Sequence, residues 1–175
     1  MIFLTLGTQL PFDRLVKALD EVAPDLDEPV FGQIGNSRVR PAHFEAVDFL
    51  SPVEFKARFA AARVIVGHAG IGTILSGLKA EKPLVLMARR AAMGEHRNDH
   101  QLATVAQLGR IAGIHVAEDA AGLRAFLCDP GLAPMAAAAS PARLSTRARR
   151  ATASRSLSKP AGSGAPATRV ATSSA

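Results

Sequence analysis

The chain has 175 residues, 48% of them apolar, enough for one buried core and too few for two domains of ordinary size. The net charge is +6, but Arg143, Arg147, Arg149, Arg150, Arg155, Lys159 and Arg169 all lie after residue 130, where no acid stands, so residues 1–130 carry −1. That near balance, with no Trp or Tyr to stack on bases, argues against a folded nucleic-acid surface, and the single Cys128 excludes an internal disulfide framework and points to a reducing, cytoplasmic compartment.

Ile2–Leu6 is a run of β-formers closed by Gly7; it carries no basic leader and is far too short for a signal peptide or a membrane span. Phe12, Leu15, Val16 and Leu19 then recur at helical spacing. Asp25-Leu26-Asp27 imitates a metal-binding D-x-D but sits in an acidic, Pro-flanked connection and reads as a solvated loop. Val30–Ile34 and Ala46–Leu50 are predicted strands, and Pro52–Ala61 a predicted helix with Ser51 as its N-cap. Arg63–Gly67 reads as a buried strand, followed by a Gly-rich turn, a helix over Ile71–Lys79 and a strand over Pro83–Met87. A polar loop leads to a helix near His96–Arg110, a short strand at Ile114–Ala117 and a last helix near Ala120–Leu127.

Strands alternating with helices predict an α/β fold, a Rossmann-like, doubly wound parallel sheet built by right-handed crossovers. From about Pro130 the composition turns to Ala, Ser, Pro, Thr, Gly and Arg, which cannot offset ordering entropy by burial. The expected organisation is one domain over 1–130 and a basic, disordered tail over 131–175. Such a tail could hold the protein on anionic lipid by charge, and the same composition also arises from a reading-frame change in a GC-rich gene.

In such a sheet, ligands bind outside the carboxyl ends of strands, where helix N-termini aim N–H groups at anions. Two loops have suitable chemistry there. Gly7-Thr8-Gln9 follows the first strand, and Gly67-His68-Ala69-Gly70-Ile71-Gly72-Thr73 joins strand to helix with small residues and two side-chain donors. Taken alone, each loop is explained equally well as a plain turn, and the glycine spacing fits neither the dinucleotide fingerprint nor the P-loop.

Glu95-His96-Arg97-Asn98-Asp99-His100-Gln101 opens the later helix with more polar residues than an N-cap requires. His96 and His100 at i and i+4, with Asp99 between, raise a zinc site. The second carboxylate is Asp rather than Glu and no third ligand is evident, so sugar-hydroxyl recognition is favoured over a metal and over a solvated helix start.

Together, Gly7-Thr8-Gln9, Gly32-Gln33-Ile34-Gly35, His68-Ala69-Gly70-Ile71-Gly72-Thr73 and His96-Arg97-Asn98-Asp99-His100-Gln101 resemble the glycosyltransferase family 28 C-terminal domain, over residues 1–127. The pattern is similar to that of the small exopolysaccharide-synthesis subunits of that family. The resemblance implies the donor-binding half of a GT-B enzyme, a hexosyltransferase that uses a UDP-sugar as substrate and needs neither metal nor cofactor. Gly7, Thr8, His68, Gly70, Gly72 and Thr73 would hold the donor diphosphate; Ser76, Asn98, His100 and Gln101 would serve the ribose and sugar; Leu50 and Val53 would contact uracil. Ser76 departs from the Glu that many members place there, and one hydroxyl cannot accept both ribose hydroxyls as a carboxylate does.

The resemblance further implies an inverting transfer to a polyprenyl-diphosphate-linked glycan, with the acceptor domain on a membrane-anchored partner that recruits this chain to the inner face of the cell membrane. The alternative is a non-catalytic nucleotide-sugar-binding or scaffolding subunit. UDP-glucose, UDP-glucuronate and UDP-GlcNAc all remain open as donors.

Overall fold

The structure, a computed structural model, describes residues 1–98, 100–109 and 111–134. Six strands, β1 (Ile2–Thr5), β2 (Val30–Gln33), β3 (Glu45–Val47), β4 (Val64–His68), β5 (Leu84–Met87) and β6 (Ile114–Val116), form one parallel sheet in the order β3-β2-β1-β4-β5-β6. Between them run α1 (Asp13–Val22), α2 (Pro52–Ala61), α3 (Ile71–Lys79) and α4 (His100–Leu108), and α5 (Ala120–Leu127) follows β6.

The chain winds outward from β1 to β3, then returns to lay β4 against the free side of β1, with Ile2 opposite Val30 on one flank and Val64 on the other. The strand order therefore reverses between β1 and β4, which is where a parallel sheet of this kind opens a crevice at its carboxyl edge.

The central strands β1, β4 and β5 are nearly continuous apolar runs because both faces of the sheet are covered there. Period-2 alternation divides them between two cores. Ile2, Leu4, Val64, Val66, Val85 and Met87 pack with Leu15, Val16 and Leu19 of α1 and Leu123 and Leu127 of α5. Phe3, Ile65, Leu84 and Leu86 turn the other way, toward Phe59 of α2, Ile74 and Leu78 of α3 and Leu108 of α4.

Helix boundaries follow local chemistry. Ser51 caps α2 in a capping box: its hydroxyl accepts from the Glu54 N–H at 3.3 Å, and the Glu54 carboxylate accepts from the Ser51 N–H at 3.0 Å.

The helix predicted from His96 instead begins at His100. A 3-10 turn over Ala91–Met93 ends at Gly94 in the left-handed region, and Glu95 is drawn back to accept from the Arg90 N–H at 2.9 Å and from Arg14 at 2.8 Å. His96 thus precedes the helix, and the i, i+4 pairing expected of His96 and His100 on one helix face does not form. β3 likewise covers Glu45–Val47 rather than Ala46–Leu50.

Leu132 is buried in the core beside α1 and α5, two residues beyond the boundary that composition suggests; the rest of the expected tail, from residue 135, lies outside the described residues, as do Asp99 and Arg110. No helix among the described residues is long and apolar enough to cross a membrane.

Candidate functional site

The crevice between β1 and β4 holds a cleft of about 630 Å³. One wall is the loop after β1, Leu6–Leu10; the other is the end of β4 and the start of α3, where His68, Gly70, Ile71, Gly72, Thr73 and Ser76 line it. Gln33, Leu50 and Phe55 close one side, and Arg89, His96 and Gln101 the other.

Two glycines set the spacing. Gly7 sits at φ +74°, a conformation that L side chains rarely adopt, and a Cβ there would come within 3.0 Å of His68 Cε1. A Cβ on Gly70 would lie 2.3 Å from His68 Nε2. The imidazole is therefore held between the two loops, in space that only glycines leave open.

Its Nδ1 is enclosed and meets no partner at full hydrogen-bond geometry. Burial, with the Arg89 guanidinium next and His96 adding to it, pushes the His68 pKa down to about 4 against an opposing backbone interaction with Thr5. The ring is neutral at physiological pH.

α3 starts at Gly70 without a side-chain cap, so its first-turn N–H groups and positive dipole end point into the crevice. Among the described residues, no Asp or Glu lines the cleft. An uncapped helix N-terminus, a neutral imidazole and a buried guanidinium together suit an anion.

Of the residues expected from sequence, Gly7, Thr8, His68, Gly70, Gly72, Thr73, Ser76, Gln101 and Leu50 come together here. Gln101 is buried, and its Oε1 accepts from the Arg89 N–H at 3.1 Å. Three do not line the cleft. Val53 is 79% exposed on the outer face of α2, over a separate shallow groove with Lys56 and Ala60. Asn98 and His100 are exposed, with Asn98 Oδ1 accepting from the His100 N–H at 3.3 Å.

Sequence reasoning missed Arg89 and Gln33. Gln33 ends β2 and accepts from the Leu50 N–H at 3.0 Å, tying the β3–α2 connection to the cleft. A polar residue at the end of an apolar strand was the available signal for Gln33; for Arg89, beside Arg90 in a polar loop, there was none. Among the described residues no cluster of three or more His, Cys, Asp or Glu is arranged to hold a metal.

The family model described as glycosyltransferase family 28 C-terminal domain matches residues 1–119. Solved structures with similar folds include MurG of Acinetobacter baumannii (20% identity, TM-score 0.56, covering 85% of this chain and 44% of that one). The glycotransferase of kitacinnamycin (23%, 0.53, 87% and 39%) and the spinosyn forosaminyltransferase SpnP (15%, 0.52, 85% and 38%) are also similar. At these identities the likeness is one of fold, and the chain spans less than half the length of each. No curated protein is similar enough in sequence to match.

Proposed function

This chain belongs to the glycosyltransferase family 28 C-terminal domain family, and from that membership we propose that it is the donor-binding part of a UDP-sugar-dependent hexosyltransferase. The observation that carries the reading is the cleft itself: lined by no carboxylate among the described residues, at the point where the strand order reverses, with the α3 N-terminus and neutral His68 facing into it. The diphosphate would lie against the first-turn N–H groups of α3 and the His68 ring, with Thr8 and Thr73 hydroxyls as further donors. Ser76, one turn along α3, and Gln101 would meet ribose and sugar hydroxyls, and Leu50 the uracil face. Val53 is left out of this assignment because it points away from the cleft.

In the proposed reaction an acceptor hydroxyl oxygen bonds to the anomeric carbon as the bond from that carbon to the β-phosphate oxygen breaks, inverting the centre. UDP leaves with the electron pair, stabilised by the helix dipole and the donors around it rather than by a metal. The hydroxyl proton passes to a base on the acceptor side. That side is assigned to a membrane-anchored partner presenting a polyprenyl-diphosphate-linked glycan in exopolysaccharide synthesis. Its support is the resemblance of the His68–Thr73 and His96–Gln101 loops to those of the family's small exopolysaccharide-synthesis subunits.

Calorimetric titration with UDP, beside ADP and GDP, tests the reading. Wild type should bind UDP selectively, and His68→Ala should weaken that binding about tenfold or more, the scale of a hydrogen bond to a charged group. Equal affinity for all three nucleotides, or an unaffected His68→Ala variant, would overturn the assignment. Ser76, with one hydroxyl where many members carry a carboxylate, favours a second reading, a subunit that binds nucleotide-sugar without catalysis. UDP binding without UDP-sugar turnover by the assembled complex would select it.

A further inference from the structure

Arg89 is 3% exposed, yet it lines the cleft. It follows β5 by two residues, and its Nη2 donates to the carbonyls of Leu6 at 3.1 Å and Leu10 at 2.7 Å, the two ends of the opposite loop. Its backbone N–H is held by Gln101 of α4, and its guanidinium carbon lies 5.1 Å from the centroid of the buried Phe12 ring. The Nε is enclosed without a partner. The adjacent carboxylate, Glu95, is engaged by Arg14 through two hydrogen bonds at 2.8 and 2.9 Å and by the Arg90 N–H, and among the described residues no carboxylate hydrogen-bonds Arg89.

A buried guanidinium without a carboxylate is costly to retain. Two main-chain carbonyls satisfy part of its donor set but none of its charge. We propose that Arg89 is a positioning residue of the donor site, clasping the Leu6–Leu10 loop against the His68 loop and holding a positive charge, only partly offset by the nearby Glu95, behind the anion cradle. The proposal rests on the nucleotide reading above only for the ligand used in part of its test.

The clasp fixes both ends of the Gly7 loop through a single nitrogen, Nη2, at a reach that the shorter lysine side chain does not match. The same charge faces His68 and works against its protonation. The charged groups around the imidazole are Arg89 and His96, and Glu95 stands beyond Arg89.

The full chain should be compared with Arg89→Met and Arg89→Lys. Without nucleotide, the His68 ring titration followed by NMR should move up toward the ordinary histidine range in Arg89→Met and stay low in Arg89→Lys. Amide exchange over Gly7–Leu10 should accelerate in both. UDP affinity measured by calorimetry should fall about tenfold or more in Arg89→Met. A folded Arg89→Met protein with unchanged His68 titration and unchanged exchange overturns the proposal. Should Arg89→Met fail to fold, Arg89→Lys decides: exchange over Gly7–Leu10 equal to wild type overturns the clasp. A wild type that does not bind UDP, alongside the expected His68 and exchange changes, overturns the nucleotide reading and leaves the role of Arg89 standing.

Discussion

His68 carries a consequence that can be read without any ligand. Its ordinary pKa is 6.5 and its folded value about 4, so on acidification the unfolded chain takes up the proton first. Stability is then fully present above about pH 6.5 and declines as the pH falls toward 4, by up to about 3 kcal/mol. Urea unfolding of wild type and His68→Asn at pH 7 and pH 4.5 checks this: wild type should lose more stability than the variant, and equal losses would refute the assignment. Gly72 offers a complementary test. A Cβ there meets nothing within 4 Å, so the fold does not require glycine. Gly72→Ala should leave stability unchanged or raise it by up to about 1 kcal/mol, through helix propensity, while weakening UDP binding because the methyl enters the cradle. Unchanged UDP affinity would remove Gly72 from the site.

At the scale of elements, α3 does two jobs with different demands on its glycines. Its first turn faces the cleft; its other face packs on β5, where a Cβ on Gly77 would fall 2.5 Å from Leu84 Cδ2. Propensity alone predicts that Gly77→Ala stabilises the helix by about 1 kcal/mol. The overlap with a fully buried leucine is larger in effect, and the variant should instead be destabilised by about 1–3 kcal/mol, measured as a lower denaturation midpoint. The start of α4 shows the same precedence of tertiary contact over local pattern. The polar run from Glu95 continues a helical pattern, but Glu95 is held by Arg14, whose guanidinium also donates to the Ala88 carbonyl at 2.7 Å. Arg14 lies on α1, far away in sequence, and so helix α4 begins five residues after Glu95.

Over the whole molecule, the sheet is shared by two cores, and β1 at its centre contributes to both: Ile2 and Leu4 to one, Phe3 to the other. Neither layer can loosen without exposing the other's strands. Leu4→Ala should therefore cost about 2–5 kcal/mol while leaving a single unfolding transition, with probes on α1 and α2 changing together. Separate transitions for the two faces would contradict this coupling. The same architecture places the candidate site, because a loop after β1 and a loop after β4 become neighbours only when those strands pair.

The alternation of apolar runs with helical spacing determined the parallel α/β fold, and Ser51 followed by Pro52 and Glu54 determined where α2 begins. The glycine-rich loops and the family resemblance identified both walls of the cleft, because those signals are local: backbone freedom, capping and amphipathic period act over a few residues. Only the tertiary structure decided the rest. Val53 and Leu50 are three residues apart, yet α2 turns one outward and leaves the other in the cleft. His96 and His100 lost their helical register to an ion pair with α1. Arg89, indistinguishable in sequence from Arg90 beside it, became the buried charge between the two loops because the β1–α1 loop offered it two carbonyls. Long-range hydrogen bonds and burial depend on which strands lie side by side, and no short stretch of sequence carries that information.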